Sequence, residues 1–305
     1  MKIAIVGCGA MGSVYAGLLA SAGNEVWAIS RPGAHRDAMA RDGLRITGAS
    51  GDRTVRLNVA ATATDAGICD LVVLATKGPE LADAARSAAP LVSAGTLVLV
   101  TQNGLGAPEI AAAALPKAHI AIGVAAGFGA ALLAPGHVHH NGWGEMRLGE
   151  RSGPVTPALA RVAEVWSTAG FVAPTFDDID RMVWEKLCVN ISFDAVGTLH
   201  DFVIGEILAN PEAWALSQAC LAGTVAVARA RGITLGFADA AEHVRAFGAK
   251  IPKAVPSMLL DHRARRRSEI DALNGAVAKL ARELGMAAPA NERVTREIKE
   301  REKAF

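Results

Sequence analysis

Glycines at 7, 9 and 12 and a lysine at 186 are the residues whose types and spacing could do chemistry in this chain of 305 residues. Gly7-Cys8-Gly9-Ala10-Met11-Gly12 follows the apolar run Lys2-Ile3-Ala4-Ile5-Val6 and opens helical spacing at Met11, Val14, Tyr15, Leu18 and Leu19. After a strand, the first glycine permits a tight turn, the second lets the backbone approach a pyrophosphate, and the third lets helix pack on strand. The helix N-terminus then offers unpaired N–H groups to phosphates. Arg31 follows the second strand, Glu25-Val26-Trp27-Ala28-Ile29, where an NAD site carries an acid. Arg31, with Ser30, would instead pair with a 2′-phosphate, which favours NADP. The plainer reading of Arg31 is an exposed loop charge.

The second centre is Trp184-Glu185-Lys186-Leu187-Cys188-Val189-Asn190. Val183, Leu187 and Ile191 recur at helical spacing and make an apolar face. Lys186 is one residue short of that face, and Asn190 lies beside it one turn on. An ammonium held at such an edge is a candidate proton donor to a carbonyl, although most helical lysines are solvated surface charges. Two polar residues end buried-type strands: Lys77 after Leu71–Thr76 and Asn103 after Thr96–Thr101. In an open parallel sheet, ligands bind beyond such carboxyl ends. Asn103-Gly104 alone also reads as a simple turn.

These residues need elements to hold them. Strands alternate with helices through the first half, as in a parallel sheet. From His119 to Glu150 the pattern becomes short strands with turn signals at Pro135-Gly136 and Asn141-Gly142, so a hairpin or meander should extend the sheet. A helix over Pro157–Ala169 and a strand near Phe171–Pro174 close this half, and Thr175–Asp180 is the junction. The rest reads as helical, with Leu208, Leu216, Cys220, Val225 and Val227 as core candidates. On a continuous helix Glu269 and Asp271 would face about 200° apart, so they should not share a role. Arg293 to Phe305 reads as a charged, exposed terminal helix. The fold class is α/β: a Rossmann-type dinucleotide-binding domain over residues 1–176, then an all-helical substrate and dimerisation domain over 177–305.

A net charge of +1 and a single tyrosine give no reason to expect nucleic acid or a membrane surface as partner. No apolar stretch of about 18 residues is free of turn residues or charges, and no signal peptide precedes the first strand. Cys8, Cys69, Cys188 and Cys220 lack ligand spacing and read as buried, reduced thiols of a cytoplasmic protein. His137, His139 and His140 have no partner at metal-ligand spacing and read as exposed strand histidines, so no metal is expected.

In this order and spacing, the motifs resemble those of the ketopantoate reductases (2-dehydropantoate 2-reductases) over essentially the whole chain. They are Gly7-x-Gly9-x-x-Gly12, Arg31, Lys77, Gln102-Asn103-Gly104, Trp184-x-Lys186-Leu187-x-x-Asn190, Ser257-Met258-Leu259-x-Asp261 and Glu269-Ile270-Asp271-x-x-Asn274-Gly275. The resemblance implies NADPH-dependent reduction of a 2-keto acid, with substrate in the interdomain cleft. It makes Lys186 the general acid and gives Glu269 the substrate hydroxyl and the lysine to support. It assigns Asn103, Asn190 and Ser257 to the substrate. The cofactor falls to Gly7, Gly9, Ala10, Met11, Gly12, Arg31 and Lys77, with Asn103 and Glu269 reaching it as well.

Three positions depart from the family pattern. Asp194 stands where asparagine is common, Ile204 where some members carry a polar contact, and Arg265 where many have glycine. A carboxylate at 194 cannot donate to a substrate carboxylate, so Asp194 as a substrate contact points to a keto acid with a hydroxyl or amine to offer. A same-fold reductase of another keto acid, and a non-catalytic NADP-binding sensor, stay open beside the primary reading. The helical half is the candidate surface for a homodimer.

Overall fold

The computed structural model describes residues 1–305 as two units: Met1–Gln102 with Ala107–Ile179, and Asn103–Gly106 with Asp180–Phe305. The first unit runs β1 (Lys2–Val6), α1 (Ala10–Ser21), β2 (Glu25–Ile29), α2 (Ala34–Asp42), β3 (Leu44–Gly48), β4 (Arg53–Val55), β5 (Asn58–Ala60), β6 (Leu71–Leu74), α3 (Leu81–Ser87), β7 (Leu97–Val100), α4 (Ala107–Ala114), β8 (His119–Ala126), β9 (Gly129–Ala134), β10 (His137–Gly142), β11 (Glu145–Glu150) and α5 (Pro157–Thr168). Seven strands form a sheet in the order β11-β8-β7-β6-β1-β2-β5, parallel except for β11. Every residue of β6 and β7 is buried, as their unbroken Leu/Val composition requires of strands covered on both faces. Each such side chain contributes roughly 1.5–3 kcal/mol relative to exposure. The strand order reverses between β6 and β2 around β1, and that crevice is where sheets of this kind bind ligands.

The expected hairpin forms between β9 and β10, but it does not extend this sheet. β10 pairs parallel with β3, giving a second sheet in the order β4-β3-β10-β9, while β8 and β11 extend the first. The reason lies in α1, whose residues Gly12 to Leu19 are all buried. A helix without a polar face needs cover on both sides. The histidines of β10 are accordingly not exposed. His140 is fully buried against the Phe128 and Trp143 rings, and Thr47 bonds His137 and His139. The segment at Phe171–Pro174 is not a strand. It makes isolated bridges, Glu145 to Val172 and Leu148 to Thr175, because Pro174 has no N–H to give a ladder.

The second unit holds α6 (Ile179–His200), α7 (Ile204–Ala209), α8 (Pro211–Ala230), α9 (Ala240–Lys250), α10 (Ser257–Arg263), α11 (Asn274–Glu283) and α12 (Pro289–Glu302). α6 serves two cores. Trp184, Leu187, Ile191 and Ala195 face one, and Cys188, Phe193 and Val196 face the other. Val183, expected on the apolar face, is only half-buried. Of the expected core positions in α7 and α8, Cys220 and Val227 are buried, while Leu208, Leu216 and Val225 are half-buried. The terminal helix is not a free charged rod, since Asn291, Val294 and Ile298 of α12 are buried. Residues 264–273 are turns rather than a helix, with Arg265 in the left-handed region at φ 51. No helix is long and apolar enough to cross a membrane.

Candidate active site

In the first unit the glycine turn follows β1 directly, and a Cβ on Gly7 would meet Thr76 side-chain and backbone atoms at 2.5 and 2.7 Å. The turn therefore lies against the end of β6, where Lys77 is exposed. Gln102 fixes that end by donating from Nε2 to the carbonyls of Leu74 and Thr76, both at 2.9 Å. No side chain caps the first turn of α1, so none competes for its N–H groups at Ala10, Met11 and Gly12. A Cβ on Gly9 would meet nothing within 4 Å. The Thr76 hydroxyl is buried without a hydrogen-bond partner. An open approach, uncapped N–H groups and an orphaned hydroxyl fit a phosphate-bearing dinucleotide. Arg31 lies two residues beyond β2 with its side chain 84% exposed, held by an ion pair to Glu80 at 2.8 Å. Exposed pairs of this kind are worth at most about 1 kcal/mol, so the guanidinium can leave Glu80 for a phosphate.

The second unit collects the remaining residues. On α6, Lys186, Asn190 and Asp194 are spaced by four, so each successive side chain turns by about 40°. They share a stripe that neither core occupies. Lys186 and Asn190 are half-buried there, while the next eight residues, Ile191 to Thr198, are all buried. Asp194 is 5% exposed, and its Oδ1 accepts from Ser257 Oγ at 3.1 Å and from Met258 N at 3.2 Å. This carboxylate thus ties α6 to the first turn of α10. Ser257 has one hydroxyl hydrogen, and it points to Asp194, so towards a ligand Ser257 offers lone pairs. Ile204 is buried in the core with Cys188 and Phe193, and is packing rather than a polar contact.

Glu269 is 7% exposed, and Asn103 Nδ2 donates to its Oε2 at 3.0 Å. Their segments are strapped together by the bond from Leu105 N to Ala272 O, 2.9 Å long. Gly104 at φ +86 is required, since a Cβ would stand 2.2 Å from the Ala272 carbonyl oxygen. Asp271, two residues on, is exposed and paired with Lys299 at 2.9 Å. The separate environments of Glu269 and Asp271 come from a turn rather than from opposite faces of a helix. Sequence reasoning passed over Thr76, the tie made by Gln102 and the capping bonds of Asp194. Only Gln102, next to Asn103, left a signal that could have been followed.

A Rossmann-type sheet with an open glycine turn, and a helical unit carrying lysine, asparagine, serine and a buried acid, are the parts of a two-domain oxidoreductase. The comparisons agree. Residues 3–153 match the family model "Ketopantoate reductase PanE/ApbA", and residues 178–302 match its C-terminal counterpart. The 2-dehydropantoate 2-reductase of Halobacterium salinarum is 31% identical over 292 residues, which is 95% of both chains. That of Mesorhizobium japonicum is 32% identical, over 92% of each. Among solved structures, a PanE/ApbA family ketopantoate reductase from Ralstonia eutropha JMP134 has a TM-score of 0.93 at 30% identity, covering 100% of this chain and 99% of that one. D-mandelate dehydrogenase with NADH and anilino(oxo)acetate has a TM-score of 0.89 at 27% identity, with coverage of 100% and 99%. The chain belongs to the ketopantoate reductase family and is an oxidoreductase.

Proposed function

We propose that the protein reduces the carbonyl of a 2-keto acid, 2-dehydropantoate (ketopantoate) giving (R)-pantoate, with NADPH as cofactor. The observation that carries this reading is the half-buried Lys186 and Asn190 pair, one turn apart beside eight consecutive buried residues. A lysine withdrawn from bulk water beside a core is placed to act on a ligand. The names of the curated relatives support the substrate, and the NADH and oxoacid of D-mandelate dehydrogenase support the reaction class. Arg31 supports NADPH over NADH, as a partner for the 2′-phosphate. The four buried free thiols fit a reducing compartment, so we assign the reaction to the cytoplasm.

When bound, the nicotinamide supplies hydride. The glycine turn and the N–H groups of α1 hold the phosphates, and Lys77 and Thr76 lie beside that turn. Reduction puts negative charge on the carbonyl oxygen, and the Lys186 ammonium stabilises that charge and gives the proton. Asn190, Asn103 and Ser257 hold the substrate. Glu269, braced by Asn103, keeps the lysine oriented and accepts from the hydroxyl that reduction forms at the former carbonyl.

Ser257 and Asp194 narrow the substrate. With its hydrogen given to Asp194, Ser257 accepts from a donor on the substrate, and the carboxylate behind it repels a second anion. The 4-hydroxyl of ketopantoate is such a donor. A keto acid with an amine at that distance is the rival the same geometry favours. The test is a panel of 2-keto acids assayed with NADPH and with NADH. The reading expects the highest kcat/KM for ketopantoate with NADPH. Faster turnover of an amino-substituted keto acid would favour the rival, and cofactor binding without oxidation by any member would make the protein a sensor.

A further inference from the structure

Glu302, in the last turn of α12, lies 33 residues beyond the acid of the site, yet it holds the residue next to that acid. Its Oε1 accepts from Ser268 N at 2.8 Å and from Ser268 Oγ at 2.6 Å. His262 Nε2 lies 3.2 Å from the same oxygen, and both side chains are about nine-tenths buried. The bracket continues around this contact. Lys299 pairs with Asp271, two residues after Glu269, at 2.9 Å. Arg301 donates to the carbonyls of Thr198 and Leu199, at the end of the helix that carries Lys186. Arg265 makes the left-handed turn that leads into Ser268, a conformation that favours glycine. Its side chain is held by the Ala304 carbonyl and lies over the Phe305 ring. One helical turn and the residues after it thus grip the Glu269 segment on both sides and α6 as well.

We propose that Glu302 is a positioning residue for Glu269, which rests on the role given to Glu269 above. Two hydrogen bonds to Ser268 fix the backbone immediately before the acid, and so fix the carboxylate on Asn103. Placement of this kind acts on rate, because small displacements of a reacting group cost large factors in turnover.

The test is a double-mutant cycle on the full chain, with NADPH oxidation by ketopantoate as one readout and fluorescence titration of NADPH as another. Glu302→Ala is expected to lower kcat roughly 10- to 100-fold with NADPH affinity unchanged. Glu302→Gln keeps an amide oxygen for both Ser268 donors and is expected to restore most of the rate. In a Glu269→Gln background, Glu302→Ala is expected to add no further loss, since it acts only through that acid. Should Glu302→Ala fail to fold, Ser268→Ala, which removes one of the two bonds, is expected to lose kcat severalfold and to be silent in the same background. A full loss persisting in the Glu269→Gln background would show general support of the fold and overturn the proposal. So would a normal rate for Glu302→Ala beside an impaired Glu269→Gln. A normal rate for Glu269→Gln itself would instead remove the role of the acid, and the positioning role with it.

Discussion

Exchanging Gly9 for alanine separates cofactor binding from folding, because this glycine is needed for what approaches it and not for the chain. Its backbone is extended at φ −75 and ψ −158, and a Cβ there meets no protein atom within 4 Å. Alanine in a compatible conformation stabilises a protein by about 0.4–1 kcal/mol, through the entropy of the unfolded chain. The methyl group would stand where the pyrophosphate comes close to the backbone. Losing one charge-assisted bond to an N–H group costs about 1.5–3 kcal/mol. That is roughly a 10- to 150-fold weaker Kd for NADPH. Gly12 is the contrast, since a Cβ there falls 2.2 Å from the Gly7 carbonyl oxygen and must push backbone. Overpacking costs about 1–3 kcal/mol even where side chains can give, so Gly12→Ala should unfold at clearly lower urea. Urea denaturation and NADPH titration on the two variants read these terms separately. Gly9→Ala binding NADPH within twofold of the parent, or losing stability as Gly12→Ala does, would refute the reasoning.

Arg31→Asp should cut the NADPH-over-NADH ratio of kcat/KM by roughly 10- to 100-fold, an amount set by one charge-assisted phosphate contact. Because the Arg31 side chain is 84% exposed, its stability should stay within about 0.5 kcal/mol, as urea unfolding would show. Asp194→Ala leaves Ser257 Oγ and Met258 N without their acceptor, and should cost about 1–3 kcal/mol in urea denaturation together with a lower kcat/KM. Burial lowers the His35 pKa below 6.5, and its Nδ1 accepts from Gly136 N at 2.9 Å, a bond that protonation breaks. The unfolded chain therefore binds the proton first, so stability should fall as pH drops through 6.5 and level off below the folded pKa. Urea midpoints across that range should show a shallower fall in His35→Gln.

The sheet was readable because its strands are runs such as Leu71–Leu74 and Leu97–Val100, whose pattern has only one buried solution. The glycine turn was readable because its requirement is backbone geometry, which residue type alone reveals. The second sheet was not, since nothing in Gly129–Ala134 or His137–Gly142 says which neighbour their edges will find. α6 misled in a smaller way. A helix lying between two cores has no single apolar face, so its spacing points to Val183 where the structure buries Trp184. Lys186 and Asn190 could be paired from their spacing, because i and i+4 share a helix face. The bond from Ser257 to Asp194 and that from Asn103 to Glu269 span 63 and 166 residues, and contacts at such separations leave no trace in local pattern.

The most direct measurement is single-turnover reduction of ketopantoate by the Lys186→Ala variant with NADPH already bound. General acid catalysis contributes about 10²–10⁴-fold, so the rate should fall by that factor while NADPH affinity stays within twofold of the parent. A single-turnover rate within threefold of the parent would contradict the assignment of the proton to Lys186.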